Sequence, residues 1–254
     1  MILLAGNTAE AKVEKSPAKT GNAKVLVQVE NKRQGRKESD GLHHVLITFP
    51  GDKVGVCGGS LISPEWILTA GICNISDTEV ILGHHTDLKG QRRKITKIIY
   101  YTHGKVTHNI MLMKVETKSS DKFHNITLPD VKNCKAPGKG KTVELLAWIN
   151  AVYYFNRNTD EPQHLQTVKL TVTDCTNAPE LDKQPVPDYL EEDLNLLCTK
   201  HSADEDCELF PGSSLIFNNV LHGVLVNYDL DCQMQVEFKD ICKYRQWIKD
   251  NTKV

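Results

Sequence analysis

The chain has 254 residues, with 31 Lys and Arg against 32 Asp and Glu, so its formal net charge is only −1. Hydrophobic residues make up 40% of it, an ordinary share for a globular protein. The near-zero charge and this composition together argue against bulk affinity for nucleic acids or membrane surfaces. A spanning helix needs a run of about 18 or more apolar residues, and because the sequence has none, we expect no membrane-spanning helix.

Residues 1–40 differ in composition from the rest of the chain. They are rich in Lys, Ala, Gly, Asn and Glu, contain no Cys or aromatic residue, and have one longer apolar stretch at residues 23–29. We predict a mostly disordered N-terminal extension with at most one short strand. The apolar start at residues 1–5 is shorter than the roughly 7 to 15 residues of a secretory h-region, so it does not read as a signal peptide.

Residues 41–254 show repeated short segments rich in Val, Ile and Leu, as β-strands do. A first group comprises residues 44–49, 65–68, 79–82, 94–100 and 110–115. A second group comprises residues 143–149, 165–172, 194–197, 215–217 and 220–226. This grouping predicts one domain built from two β-barrel halves.

The chain closes with a helical pattern. Ile241, Arg245 and Ile248 follow one another at four- and three-residue spacing, with Tyr244 and Trp247 beside them. This spacing predicts an amphipathic C-terminal helix.

Eight cysteines indicate an oxidising compartment, provided that they pair. No Cys-x-x-Cys occurs, which argues against a thiolate zinc site. Two sequons, Asn74-Ile75-Ser76 and Asn125-Ile126-Thr127, fit a secreted glycoprotein with glycans on Asn74 and Asn125.

Three segments carry long motifs. Residues 57–73 open with Cys-Gly-Gly-Ser-Leu-Ile and close with Leu-Thr-Ala-Gly-Ile-Cys, residues 109–115 read Asn-Ile-Met-Leu-Met-Lys-Val, and residues 207–216 read Cys-Glu-Leu-Phe-Pro-Gly-Ser-Ser-Leu-Ile. Together they resemble the chymotrypsin/trypsin family of serine proteases. The resemblance implies an all-β fold with two six-stranded antiparallel β-barrels and a C-terminal α-helix.

The resemblance also implies where the catalytic residues would stand. The family places a His before the second Cys of the first motif, an Asp at the start of the second and a Ser within the third. These positions here hold Ile72, Asn109 and Pro211. The chain therefore resembles a pseudo-protease, a family member without its catalytic triad.

The resemblance extends this loss to the oxyanion hole and to activation. Two backbone N–H groups form the family's oxyanion hole, one from the nucleophile and one from a Gly two residues before it. Pro211 has no N–H, and Leu209 replaces the Gly. Phe210 stands where the family has the Asp that pairs with the new α-amine after activation.

The resemblance implies a disulfide pairing that uses all eight cysteines. The expected pairs are Cys57 with Cys73, Cys134 with Cys242, Cys175 with Cys198, and Cys207 with Cys232. A further bridge of many family members is replaced on both sides by apolar residues, Val143 and Phe217.

Two binding features are candidates. Glu205 matches the acidic floor of trypsin-like substrate pockets, but the pocket rim reads Val226-Asn227-Tyr228, so a solvated acidic turn is the alternative. A basic stripe in and before the strand at 94–100 could hold sulfated glycans or acidic protein segments, or could be a solvated strand edge. The stripe comprises Lys89, Arg92, Arg93, Lys94 and Lys97.

Two chemical alternatives remain. The His pairs at 43–44 and 84–85, with His103 and His108, suggest a metal site as one hypothesis. Adjacent residues of a strand point to opposite faces, so a pair seldom binds one ion. We therefore expect scattered surface His and no metal or other cofactor. Ser213 or Ser214 with His222 could give an unconventional hydrolase, although an unactivated hydroxyl is a weak nucleophile.

The sequence therefore predicts a secreted, inactive serine protease homologue that acts by binding. The expected partner is a protein or a sulfated glycan, with no nucleic acid. The alternatives are a residual or unconventional serine-type hydrolase and a carrier of a small ligand in a remodelled pocket.

Overall fold

The computed structural model describes residues 42–52, 55–83, 90–119, 123–149, 164–176, 190–191, 195–201, 210–227 and 235–254. The predicted disordered extension at 1–40, with its one short strand at 23–29, lies outside these residues and stays a prediction. Within the described part, no helix is long and apolar enough to cross a membrane.

The first barrel is built from six antiparallel strands. These are β1 (His44–Thr48), β2 (Gly55–Ser63), β3 (Trp66–Thr69), β4 (Glu79–Leu82), β5 (Gln91–His103) and β6 (Val106–Val115). They are hydrogen-bonded in the order β3-β2-β1-β4-β5-β6, and β3 pairs with β6 to close the ring. The apolar side chains of these strands fill the interior, as with Ile67, Leu112 and Met113, all fully buried.

The second barrel is closed in the same way. Its strands are β7 (Thr142–Ile149), β8 (His164–Thr173), β10 (Leu196–His201), β11 (Ser214–Phe217), β12 (Val220–Asn227) and β13 (Gln235–Asp240), closed in the order β10-β13-β12-β11-β7-β8. A short strand β9 (Leu190–Glu191) pairs in parallel with the start of β6. Strand β12 also sends Leu221, Val224 and Val226 into the core of the first barrel, which joins the two halves.

The C-terminal helix α1 spans Ile241–Thr252. The Asp240 side chain caps it by accepting a hydrogen bond from the Cys242 backbone N–H at 2.9 Å. Ile241, Tyr244 and Ile248 pack into the core of the first barrel. Two barrels of six antiparallel strands with a C-terminal helix confirm the predicted fold class.

Three strands are absent from those predicted by apolar runs, and one of them, β9, has only two residues. Strand β2 carries the Gly-Gly pair, and Gly59 is needed there because a Cβ would lie 2.8 Å from Ile67 Cγ2. Strand β13 alternates core residues with Glu237 and Lys239, which are only 3% and 0% exposed. A strand with buried charged residues gives no hydrophobic signal of its own.

The structure joins Cys57 to Cys73, Cys134 to Cys242, and Cys175 to Cys198. The first bridge lies within the first barrel, the second ties the segment between the barrels to α1, and the third lies within the second barrel. Cys207 and Cys232 lie outside the described residues, so their pairing stays a prediction.

Helix α1 is anchored to the first barrel by His108. His108 Nδ1 lies 2.9 Å from Tyr244 Oη, and Tyr101 packs edge-on against both rings. Burial, and then the nearby charges of Lys239 and His103, lower the pKa of His108 below 6.5. The folded protein therefore keeps this imidazole neutral where the unfolded chain would protonate it.

This shift predicts an acid-sensitive anchor. A depressed folded pKa stabilises the protein above about pH 6.5, and that stability is lost as pH falls through the folded pKa, by up to about 1.4 kcal/mol per pH unit. We expect His108→Gln to be less stable than wild type by about 1 kcal/mol at pH 7.5 but to lose less stability between pH 7.5 and 5.5. Urea unfolding at several pH values measures how the unfolding free energy of wild type and of His108→Gln changes with pH. The same pH dependence in both proteins would contradict the role assigned to His108.

Candidate functional site

The position that the resemblance assigns to the catalytic His lies on a short 3-10 turn, Gly71–Cys73, directly after β3. The turn is fixed at Cys73 by the bridge to Cys57. Ile72 is half-buried, and its backbone N–H donates to Asn109 Oδ1 at 2.9 Å. The turn thus keeps its place, but the side chain it presents is an aliphatic group that cannot accept or donate a proton.

Asn109, at the position assigned to the Asp, is fully buried in β6. Its Oδ1 is occupied by the Ile72 N–H, and its Nδ2 has no hydrogen-bond partner among the described residues. A Cβ on Gly71 would lie 3.2 Å from the Asn109 Cα and Oδ1, so this pair of elements is closely packed. The Asn109 side chain therefore accepts a hydrogen bond from the backbone of residue 72, and it brings no charge to the site.

The position assigned to the nucleophile lies in a loop clamped between the barrels. The Pro211 carbonyl accepts from the Gly58 N–H at 2.8 Å, and the Gly212 N–H donates to the Leu225 carbonyl at 2.8 Å. The Ser213 hydroxyl closes the turn by donating to the Phe210 carbonyl at 2.6 Å. Both barrels therefore fix this loop through its backbone.

The backbone conformation of the loop requires glycine at position 212. Its φ is +86°, and a Cβ there would overlap the carbonyl oxygen of Gly58 and the hydroxyl of Thr69. Thr69 Oγ1 itself donates to the Gly58 carbonyl at 2.7 Å. Only a residue without a side chain fits this left-handed position against β2 and β3.

A buried polar cluster lies directly behind the loop. The Ser214 hydroxyl is 3.0 Å from His44 Nδ1 and 2.6 Å from the Ser60 hydroxyl. All three residues are at most 1% exposed. The sequence raises His44 only as a metal ligand and Ser214 only as a nucleophile. Their pairing depends on the contact between β1, β2 and β11, which no local pattern reveals.

This arrangement is poorly suited to an unconventional hydrolase. Ser213 and Ser214 are fully buried, and in the described part of the chain their hydroxyls bond to Phe210, His44 and Ser60 rather than to His222. Burial lowers the pKa of His222, which packs edge-on against the Phe217 ring. No substrate could reach these hydroxyls without opening the inter-barrel contact.

The comparisons with known proteins agree with this geometry. A family model with the description Trypsin matches residues 16–248. The chain belongs to the trypsin family. The match begins within the segment 1–40, ahead of the predicted domain start at residue 41.

Individual relatives are distant. Trypsin I-P1 of Gallus gallus is 25% identical over 203 residues, which are 76% of this chain and 78% of that protein. "Putative inactive serine protease 58" of Mus musculus is 25% identical over 216 residues, 78% of this chain and 83% of its own. The structure of neuropsin, a serine protease expressed in the limbic system of mouse brain, matches with a TM-score of 0.63 at 18% identity. That match covers 85% of this chain and 96% of neuropsin and supports the fold alone.

The predicted basic stripe is only partly a solvent-facing surface. Arg92 forms an ion pair with Glu79, and its guanidinium also donates to the Asp52 carbonyl. Arg93 is 4% exposed, with its guanidinium 5.7 Å from the centre of the Phe123 ring. Its strand position turns it inward, because side chains alternate along a strand and Arg93 therefore lies on the face opposite Arg92 and Lys94. Lys94 and Lys97 are exposed.

Several predicted site residues lie outside the described part of the chain: Lys89, Glu205, Leu209, Tyr228, His84 and His85. Among the described residues, no group of three or more His, Cys, Asp or Glu side chains could hold a metal ion. His43, His44 and His108 are all buried, which differs from the scattered surface His expected from sequence.

Two glycines with the same backbone angle test the clamp on the loop. Gly51 has φ +85° and no atom within 4 Å of the place a Cβ would take, whereas Gly212 has φ +86° with the overlaps described above. We expect Gly51→Ala to cost about 1 to 2 kcal/mol of unfolding free energy, the strain of the left-handed angle alone. Gly212→Ala should cost about 1 to 3 kcal/mol more, because the methyl group overpacks the contact. Chemical denaturation measures both, and equal losses would show that the loop is not clamped.

Proposed function

We propose that this protein is a secreted, catalytically inactive member of the trypsin family that acts by binding a partner. The observation that carries the proposal is the identity of the residue in the clamped loop. Pro211 occupies the position assigned to the nucleophile, and its carbonyl is held by the Gly58 N–H. Proline offers neither a nucleophilic side chain nor a backbone N–H for an oxyanion.

The other two positions support the same proposal. Ile72 supplies no base, and Asn109 supplies no carboxylate to orient one. In a Ser-His-Asp triad the base activates the hydroxyl and the carboxylate orients the base, so none of the three roles is filled by these residues. A relative of which the match covers 83% is named "Putative inactive serine protease 58", which is consistent with this proposal.

Secretion is proposed from the disulfides. The structure describes three bridges, which join Cys57 to Cys73, Cys134 to Cys242, and Cys175 to Cys198. Bridges of this kind form and persist in oxidising compartments and are rare in a reducing cytosol. A chain that keeps them therefore belongs in the secretory pathway or outside the cell.

For the partner, we favour a protein. The stripe gives little support to a polyanion, since Arg92 is engaged by Glu79 and Arg93 is buried, which leaves Lys94 and Lys97 as its exposed described cations. The inter-barrel clamp supplies a rigid frame, and a rigid frame lowers the entropy lost on association.

The proposal predicts that wild type hydrolyses no peptide or ester substrate and that restoring the triad alone does not rescue activity. In the variant Ile72→His, Asn109→Asp, Pro211→Ser, one N–H donor returns with the Ser, but Leu209 and Phe210 still occupy the positions of the family's Gly and Asp. Leu209 has a backbone N–H, but its side chain resists the positive φ that Gly adopts readily, so this N–H is not aimed at the oxyanion. Since losing one oxyanion donor costs about 10² to 10³ in turnover, we expect the triple variant to stay at least about 100-fold below trypsin.

The matched control adds Leu209→Gly and Phe210→Asp to the triple variant. This quintuple variant should hydrolyse a peptide ester faster than the triple variant does. Circular dichroism checks that both variants are folded. A triple variant that already matches trypsin would refute our account of the loop. Measurable wild-type turnover would refute the inactive assignment, and its loss in Ser213→Ala or Ser214→Ala would assign the activity to a serine of the loop.

A further inference from the structure

The sequon at Asn74 lies on the rim of the degenerate site. Asn74 directly follows Cys73, and Ile72 is two residues before it. Cys73 is fully buried, is bridged to Cys57, and places its Sγ 3.5 Å from the Pro211 carbonyl oxygen. Asn74 is therefore adjacent in the chain to a residue that contacts the position assigned to the nucleophile, and it follows the position assigned to the His by two residues.

The backbone of this sequon is held in place on both sides. The Asn74 N–H donates to the Gly71 carbonyl at 3.2 Å, and the Ile75 N–H donates to the Cys73 carbonyl at 3.0 Å. The Thr78 hydroxyl then donates to the Ile75 carbonyl at 2.9 Å. A group attached to Asn74 would project from a fixed point rather than from a mobile loop.

The side chains of this segment are accessible in the way a modification needs. Asn74 and Ser76 are both exposed, whereas Ile72 and Ile75 are half-buried aliphatic side chains of the same segment. Ile72 packs against the core of the first barrel, and the part of its side chain that stays exposed is apolar surface two residues from Asn74. A bulky, hydrophilic glycan would cover such surface and keep it soluble.

We propose that Asn74 carries an N-linked glycan that covers the rim of the former catalytic cleft beside Ile72 and Pro211. This inference rests on the proposed function, because the modification requires passage through the secretory pathway. The donor is a lipid-linked oligosaccharide pyrophosphate. The sugar C1 to Asn74 Nδ2 bond forms, the C1 to pyrophosphate oxygen bond breaks, Nδ2 loses a proton, and the lipid pyrophosphate leaves.

The glycan determines which surfaces remain for binding. With a branched oligosaccharide on its rim, the cleft is closed to an extended peptide or an inhibitor loop. A partner protein therefore docks on another face of the domain. This separates the protein from an active protease, which must leave that cleft open to substrate.

The second sequon is an internal control. Asn125 is exposed, and it lies in the segment between the barrels, where the Ile126 N–H donates to the Leu61 carbonyl at 2.9 Å. The Thr127 carbonyl accepts from the Leu221 N–H at 2.9 Å, at a contact separate from the Gly71–Cys73 turn. Occupancy at Asn125 reports on secretion without reporting on the cleft.

The first measurement is site occupancy. The full chain, expressed with an added secretion leader in a glycosylating eukaryotic cell, is treated with peptide N-glycosidase in ¹⁸O water and mapped by mass spectrometry. We expect conversion of Asn74 to ¹⁸O-labelled Asp in most molecules. Occupied Asn125 with bare Asn74 overturns the inference and leaves the proposed function intact. A chain that is retained in the cell and bare at both sites contradicts both.

The second measurement tests whether the glycan shields Ile72 and Ile75 from solvent. Carbene footprinting of the folded glycoprotein is compared before and after enzymatic trimming to a single sugar, which needs no mutation and so avoids a folding defect. Labelling of the peptide with Ile72 and Ile75 should rise several-fold on trimming, as it should in Asn74→Gln and in Ser76→Ala. The variant Asn125→Gln should leave that peptide's labelling unchanged. Unchanged labelling after trimming overturns the claim that the glycan covers the cleft.

Discussion

The close contact at Gly212 is the constraint on which the rest of the site depends. At φ +86°, a side chain on Gly212 would overlap the Gly58 carbonyl and the Thr69 hydroxyl, so only glycine lets the loop run between the two barrels. The hydrogen bonds of Pro211 to Gly58 and of Gly212 to Leu225 then fix the loop on both sides. Cys73 lies against this loop, with its Sγ 3.5 Å from the Pro211 carbonyl oxygen.

The frame and the chemistry of a trypsin-family site depend on different atoms, so the proposed loss of catalysis is compatible with the retained frame. The clamp on the loop uses backbone N–H and carbonyl groups, so it tolerates proline at position 211 because only that residue's carbonyl is needed. Asn109 illustrates the same division. Its Oδ1 still accepts the Ile72 N–H, as a carboxylate oxygen would, while the negative charge is gone. Without an imidazole on residue 72 to balance it, a carboxylate buried there would destabilise the fold.

Much of the fold could be predicted from the sequence, because apolar runs mark the strands and the motif around Cys57 and Cys73 is long. Strands β2 and β13 escaped the apolar-run signal, since one contains paired glycines and the other buries Glu237 and Lys239. The site was harder. Residues 72, 109 and 211 could be identified from the motifs, but the pairing of His44 with Ser214 follows from contacts between strands far apart in the chain. Strand alternation separates Arg93 from Arg92 and Lys94, but it does not reveal which of the two faces is buried.

The most direct test of the central claim, a retained protease frame without a nucleophile, is labelling by a fluorophosphonate, which reacts covalently with an activated serine. Folded wild-type protein is incubated beside trypsin and beside heat-unfolded protein, and adducts are mapped by mass spectrometry. The account predicts no adduct on any serine of the folded chain above the unfolded background, while trypsin is labelled completely. Stoichiometric labelling of one serine in the folded protein, lost on unfolding, would contradict it.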